Sequence, residues 1–132
     1  MIATKATTRF DAKRVKKAMD AANFRNLGHA GGYLRKAARH SIRKSPKPSP
    51  AGTPPHTRKG RIRNAIKCAV VKATQSVVIG PDVDVAGTSG AAHEFGGPYR
   101  HETYDRRAFM GPALERHKDR LPDLWANSVK GA

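Results

Sequence analysis

The 132-residue sequence predicts an α+β fold, in which a small antiparallel or mixed β-sheet packs against N-terminal and C-terminal helices. Three observations carry that expectation. Apolar residues recur at helical spacing in the first third of the chain, alternate over Ile66–Val71, and return to helical spacing after Gly111-Pro112. A chain of this length buries roughly two thirds of its unfolded surface, enough for one modest core. Only 38% of the residues are hydrophobic and 6% aromatic, so that core is thin, and a thin core gains from neighbouring subunits.

The elements follow in order. Residues 1–9 are polar and lack periodicity, which predicts an extended or mobile arm ahead of a single domain over 10–132. Asp11 is a helix cap, with Phe10 and Val15 placed for a hydrophobic staple. Val15, Ala18, Met19 and Ala22 then share one helical face, opposite Lys13, Arg14, Lys16 and Lys17. Gly28 and Gly31-Gly32 interrupt this pattern and predict a break, with a second helix from about Tyr33 to Ser45. Leu34, Ala38 and Ile42 form its stripe, flanked by Arg35, Lys36, Arg39, Arg43 and Lys44.

Five prolines and two glycines in 46–60 (PKPSPAGTPPHTRKG) exclude a helix or a central strand and predict a long loop. Arg61–Ala65 has room for a helical turn. Ile66, Cys68 and Val70 alternate with Lys67, Ala69 and Val71, and Ser76–Ile79 follows, which predicts a β-hairpin turning near 73–75 and ending at Gly80-Pro81. Cys68, the one cysteine, lies in that strand as a buried inert thiol and permits no intrachain disulfide. Asp82–Gly90 is a loop, Ala91–Phe95 a helical turn or short strand, and Tyr99–Tyr104 another strand. Pro112, at the first helical position, opens the last helix, and Pro122 kinks or splits it.

The net charge is +16, unevenly placed. Residues 1–72 hold 19 Lys/Arg against Asp11 and Asp20, whereas residues 73–132 hold 7 against 8 acids. This asymmetry makes a polyanion or an acidic protein surface the natural neighbour of the first half. A nucleic-acid-binding protein is one reading, with Arg35, Arg39, Arg43 and Lys44 as the cations that face DNA. Few aromatic residues accompany them for base stacking, so the attraction expected is non-specific. The N-terminus lacks the apolar stretch of a signal peptide and no run is long enough to span a membrane, so the expected location is the cytoplasm unless the protein is packaged.

No enzyme constellation emerges. His93-Glu94 lacks the second histidine a zinc protease needs one turn on, because position 97 is Gly97. The six histidines show no metal-ligand spacing, Asp82 and Asp84 lack the rest of a calcium loop, and no glycine-rich phosphate cradle occurs. Neither a catalytic residue nor a cofactor or metal is expected.

Three blocks occur in sequence: GTPPHTRKGRIRNAI (52–66), AAHEFGG (91–97) and RRAFMGPALERHKDRL (106–121). In this order, over roughly residues 33–125, the chain resembles the head–tail neck and tail-completion proteins of siphophages, a family of structural virion proteins. Lys59 stands where that family usually has threonine, and Ala108 where proline is common before Phe109. The resemblance implies an α+β subunit of a homo-oligomeric ring, hexameric or dodecameric, at the head–tail junction. Its partners would be the adaptor or stopper above, the tail tube or terminator below, and the genome passing through the lumen. Host cytoplasm would be the place of assembly. A tail-tube terminator or another minor tail component is the alternative within the same broad family.

On this reading the Pro-rich loop reaches a neighbouring subunit or ring through Pro50, Gly52, Pro54, Pro55, His56 and Arg61. Preset proline geometry reduces the entropy lost on docking. Glu94, Phe95, Gly96, Gly97, Phe109 and Pro112 form the structural motif. The glycines supply a tight turn, both phenylalanines enter the core, and His93 pairs locally with Glu94.

Overall fold

A computed structural model describes residues 2–130. Its α+β architecture is organised by one long helix, α1 (Ala12–Ser41), about 45 Å in length at the usual rise. Asp11 caps it as expected, its Oδ1 accepting the Arg14 N–H at 3.0 Å. Phe10 stays 76% exposed, so no staple closes over Val15. Residues 2–10 carry no regular structure and are exposed throughout.

The predicted break at Gly28 and Gly31-Gly32 does not occur. Ala22, Asn26, Ala30, Leu34 and Ala38 form one uninterrupted buried stripe along α1; Gly31 is buried beside it, whereas Gly28 and Gly32 are exposed within the same continuous helix. Gly31 has a packing reason to be there. A Cβ at that position would stand 2.7 Å from Val77 Cγ2 and 3.3 Å from Cys68 Cβ, so its absence lets the hairpin lie against the helix. Glycine in a helix costs about 1 kcal/mol relative to alanine, and the close approach offsets that.

Neighbouring Gly32 has nothing within 4 Å of its hypothetical Cβ. Gly32→Ala is therefore expected to stabilise the protein by up to about 1 kcal/mol, whereas Gly31→Ala destabilises it by about 1–3 kcal/mol through overpacking. Urea midpoints moving the same way for both substitutions would contradict this packing.

The helix also ends earlier than its charge pattern implied. Ile42 turns to extended backbone and is fully buried, so Arg43 and Lys44 belong to a short strand, not to the helix face with Arg35 and Arg39. Strand β1 (Arg43–Lys44) pairs in parallel with β2 (His56–Thr57), closing the Pro-rich segment into a loop with joined ends. Next come α2 (Arg61–Ala65) and the predicted hairpin, β3 (Ile66–Val71) and β4 (Ser76–Pro81), paired antiparallel with Cys68 opposite Ile79. Burial alternates along β3 because one face lies on α1. Cys68 is on that face but only half-buried, against the expectation of a fully enclosed thiol.

Residues 82–90 are not a plain loop. Asp82 caps a single turn, α3 (Val83–Ala86), and α4 (Ser89–Phe95) begins at Ser89. The expected strand at 99–104 is a tight hairpin, β5 (Gly97–Tyr99) with β6 (Glu102–Tyr104). Arg100 and His101 at its tip both have positive φ. Helix α5 (Met110–His117) starts two residues before Pro112, which occupies the third helical position, not the first. Around Pro122 the chain continues as a 3₁₀ segment, Lys118–Leu124, so the split expected there is present.

The core is as thin as composition implied. Among the described residues, the buried hydrophobic side chains larger than alanine are Leu34, Ile42, Ile62, Ile66 and Phe109, with Pro55 buried as well. Ala38, Ile42, Ile62, Ile66, Phe109 and Ala113 form the central cluster, where α1, α2, β3 and α5 meet. Trp125 is half-buried and ties the C-terminal segment to α1, its Nε1–H donating to Asn23 Oδ1 at 2.9 Å.

Candidate functional site

The three sequence blocks meet in space, and Glu94 is their centre. Helix α5 has no local cap. Phe109 at its N-cap position offers no side-chain acceptor, and no acidic residue lies in its first turn. Its leading backbone donors are therefore free for another part of the chain. Glu94, at the end of α4, supplies the acceptors: Oε2 takes the N–H groups of Phe109 and Met110, both at 2.9 Å, and Oε1 takes that of Gly111 at 2.8 Å. Pro112 has no N–H to satisfy. One carboxylate thus serves every donor of the α5 terminus and places negative charge at the positive end of its dipole. The expected His93–Glu94 pair does not form, because Glu94 is committed to α5.

Gly96 makes this joint possible. It ends α4 at φ +71°, and a Cβ there would lie 3.2 Å from the Arg106 N and 3.3 Å from the Tyr104 O. Only glycine accepts both that backbone and that approach. Gly97 follows at φ +105° and enters β5, so the predicted glycine turn is present. The returning chain is then stitched to α4: the Arg107 N–H donates to the His93 carbonyl at 2.7 Å, and Arg106 Nε–H to the Glu94 carbonyl at 3.1 Å.

Phe109 follows, fully buried, as expected. Phe95 does not enter the core. It is 77% exposed, because it lies one position beyond Glu94 and a helix turns its side chains by about 100° per residue.

The Pro-rich loop folds back onto the same joint. Arg107 Nε–H donates to the Ser49 carbonyl at 2.9 Å, and the Gly52 N–H donates to the Arg106 carbonyl at 2.9 Å. Pro55 is fully buried, Pro54 half-buried, and His56 Nδ1 lies 2.9 Å from the Lys47 carbonyl. Arg61 donates from Nε to the Val85 carbonyl at 2.7 Å. Within the loop, exposure is continuous over 50–53, the tip that carries Pro50 and Gly52.

The four cations expected to face DNA are dispersed. Arg35 donates to the Ile66 carbonyl at 2.8 Å, and Arg39 to Asn64 Oδ1 at 3.2 Å, so both tie α1 to its own neighbours. Arg43 and Lys44 are exposed on β1.

His93 is held half-buried, its ring edge-on to Tyr104. Burial pushes its pKa below the ordinary imidazole value, and the Arg107 cation adds to the effect. The folded protein therefore prefers neutral His93. As pH falls below the ordinary value of 6.5, the unfolded chain takes up a proton that the folded chain refuses until its own lower pKa is reached. The contribution to stability is complete above that value and is lost as pH falls through the window beneath it. Acidification from about pH 7 to about pH 5 should lower the melting temperature more in the wild type than in His93→Gln. Equal acid slopes in the two proteins would place the titrating group elsewhere.

Among the described residues, no group of three His, Cys, Asp or Glu side chains converges to hold a metal ion, and no helix is long and apolar enough to cross a membrane. Glu94, the residue most suggestive of chemistry in the sequence, has its carboxylate fully engaged by backbone donors. The chain matches no protein-family model, no curated protein and no solved structure.

Proposed function

We propose that this protein is a structural subunit of a tailed-phage particle that assembles into a ring at the head–tail junction and catalyses no reaction. The observation that carries this reading is the convergence of the three blocks that bear the resemblance. The Pro-rich loop, the HEFGG turn and the RRAFMGP segment form one joint, knit by backbone hydrogen bonds and by Glu94. Strings that lie far apart in sequence and lock together are what a docking scaffold requires.

Two further features support assembly. Phe95 stands 77% exposed on this joint, and burying such a side chain against a neighbour is worth about 1.5–3 kcal/mol. An open apolar groove of about 460 Å³ runs between α1, β4 and α5, bordered by Leu34, Val77, Leu114 and Trp125. A subunit with so small a core gains stability by covering these surfaces. In such a ring, the exposed cations Arg43 and Lys44, and not Arg35 or Arg39, are the ones free to face the genome.

Light scattering and electron microscopy of the full-length protein test the reading. Closed rings are expected, together with presence in purified particles, and Phe95→Ser should shift the assembly toward monomer without altering the circular dichroism spectrum. A monomer that is absent from particles and binds duplex DNA with a steep salt dependence would instead make this a nucleic-acid-binding protein. The loop enters the same test through its tip. Substituting Pro50 and Ala51 together should impair head–tail joining while the subunit remains folded, because the buried Ser49 and Pro55 and the Gly52 bond to the Arg106 carbonyl stay in place.

A further inference from the structure

The β3–β4 hairpin is a sheet of two strands, and among the described residues no third strand joins it. The Asp82 N–H donates to the Ala65 carbonyl at 2.8 Å, which continues the hairpin register and makes these opposed residues a hydrogen-bonded pair. The alternation of the ladder then follows. Val78 and Gly80 bond to β3, whereas the N–H and C=O groups of Val77 and Ile79 point out of the free edge of β4. Edge strands are ordinarily blunted by charges, prolines or bulges. Ser76–Pro81 has no charged residue, its register runs without a bulge, and its one proline is the last residue.

The apolar groove lies along this same strand. Val77 and Ile79 form one wall, Leu27 and Leu34 of α1 the floor, and Leu114 and Trp125 the far wall. Unpaired backbone beside an apolar floor suits an extended segment, which adds a strand to β4 and lays alternate side chains into the groove.

The chain carries such a segment. Residues 2–10 have no regular structure and are exposed throughout in their own subunit. They have no helical period, but in an extended chain Ile2, Thr4, Ala6, Thr8 and Phe10 fall on one side, and Lys5 and Arg9 on the other. Ile, Thr and Phe favour strands, and Ile2 is 95% exposed. The arm is badly placed for its own groove. Leu27, the groove residue nearest the start of α1, lies about 22 Å along the helix from Ala12. Extended chain covers about 3.3 Å per residue, so Phe10 stays within about 7 Å of the helix start. The arm of a second copy has no such tether.

We infer that the N-terminal arm of one copy docks as an added strand on β4 of another, with Phe10 in the groove between β4 and α5. The proposal rests on the reading that copies of this chain associate, but on neither ring closure nor a phage origin.

Trp125, the single tryptophan, lines the groove and reports on it. Dilution of the full-length protein should shift its emission to the red in step with the loss of mass seen by light scattering. Amide hydrogen exchange reads the added strand. Val77 and Ile79 should be protected only in the associated state, whereas Val78 and Gly80 are protected in both. Phe10→Ser, at a side chain the subunit leaves exposed, should raise the concentration of half-association about ten-fold or more. Leu114→Lys, in the groove wall, should do the same. Mixing the two variants joins an intact arm to an intact groove, so the Trp125 signal should return in the mixture. Phe10→Ser alone decides the matter if Leu114→Lys disturbs α5.

Rings that persist in Phe10→Ser with Trp125 unchanged would overturn arm exchange and leave the ring reading intact. Arm-exchanged dimers that never close into rings would do the reverse. A Trp125 change in Phe10→Ser at every concentration, without a change in mass, would put the arm on its own subunit and overturn the exchange. A protein monomeric at all concentrations would overturn both.

Discussion

Phe109→Ala should lower the unfolding free energy by about 3–5 kcal/mol, the largest effect of any single truncation in this protein. Phe109 is fully enclosed, and it packs with Ile42, Ile62 and Ile66, the other large side chains of the central cluster. The remaining members, Ala38 and Ala113, cannot move into the space a lost ring leaves. The cavity therefore persists, and the penalty falls at the upper end of the usual range. Domains of this size are commonly stable by only about 5–15 kcal/mol, so the variant is expected to be partly unfolded or concentration-dependent in its melting. Phe109→Leu, which retains most of the volume, should lose much less, within about 1–2 kcal/mol. Chemical denaturation of the two variants decides the matter. Equal midpoints for Ala and Leu would mean that the ring does not fill the core as described.

Much of this fold is legible in the sequence, and the exceptions have physical causes. The β3–β4 hairpin follows from period-two alternation, because one face lies on α1 and the other does not. Asp11 is a cap by the ordinary local rule, since its acceptor reaches a donor three residues on. The glycines of α1 mislead because their meaning is tertiary. Gly31 serves the approach of Val77 and Cys68, which are about forty residues away and invisible to a rule about helix propensity. Arg35 and Arg39 also have a tertiary contact that no local rule shows. Their spacing describes a solvated cationic face, yet each finds an acceptor in the chain around 64–66.

At the joint, the sequence marks the important residues but not their roles. Gly96 is legible, since a glycine pair after a helical segment predicts positive φ. Phe95 is not, because hydrophobicity alone sends it inward while the commitment of Glu94 fixes how α4 is turned. The hardest contact to foresee is the cap itself. Capping rules look within three residues of a helix start, and here the acceptor arrives from 15–17 residues upstream. One sequence signal was available. A helix opening with Phe-Met-Gly-Pro has neither a Ser, Thr, Asp or Asn cap nor an acid in its first turn, so its donors demand an acceptor from elsewhere.

That demand sets the second large effect. Glu94→Ala should destabilise the protein by about 2–4 kcal/mol, because it removes a helix cap and strands backbone donors that are partly buried. The Phe109 and Met110 N–H groups lie in part-buried surroundings where water replaces the carboxylate poorly, whereas the Gly111 N–H is exposed and loses less. Glu94→Gln keeps one carbonyl acceptor but gives up the charge at the helix terminus, and should lose about half as much. Glu94→Asp keeps the charge on a shorter arm that cannot span all three donors, and belongs between the two. Amide hydrogen exchange adds a local readout. In Glu94→Ala, protection should fall first at residues 109–111 and then along α5, while the β3–β4 hairpin keeps its protection until global unfolding. Loosening confined to α4, with α5 unchanged, would show that α5 holds its own terminus and that Glu94 is not its cap. Loosening at α5 accompanied by freeing of the Pro-rich loop would tie the loop to the same contact, through the Arg106 carbonyl that accepts the Gly52 N–H and the Arg107 side chain that donates to the Ser49 carbonyl.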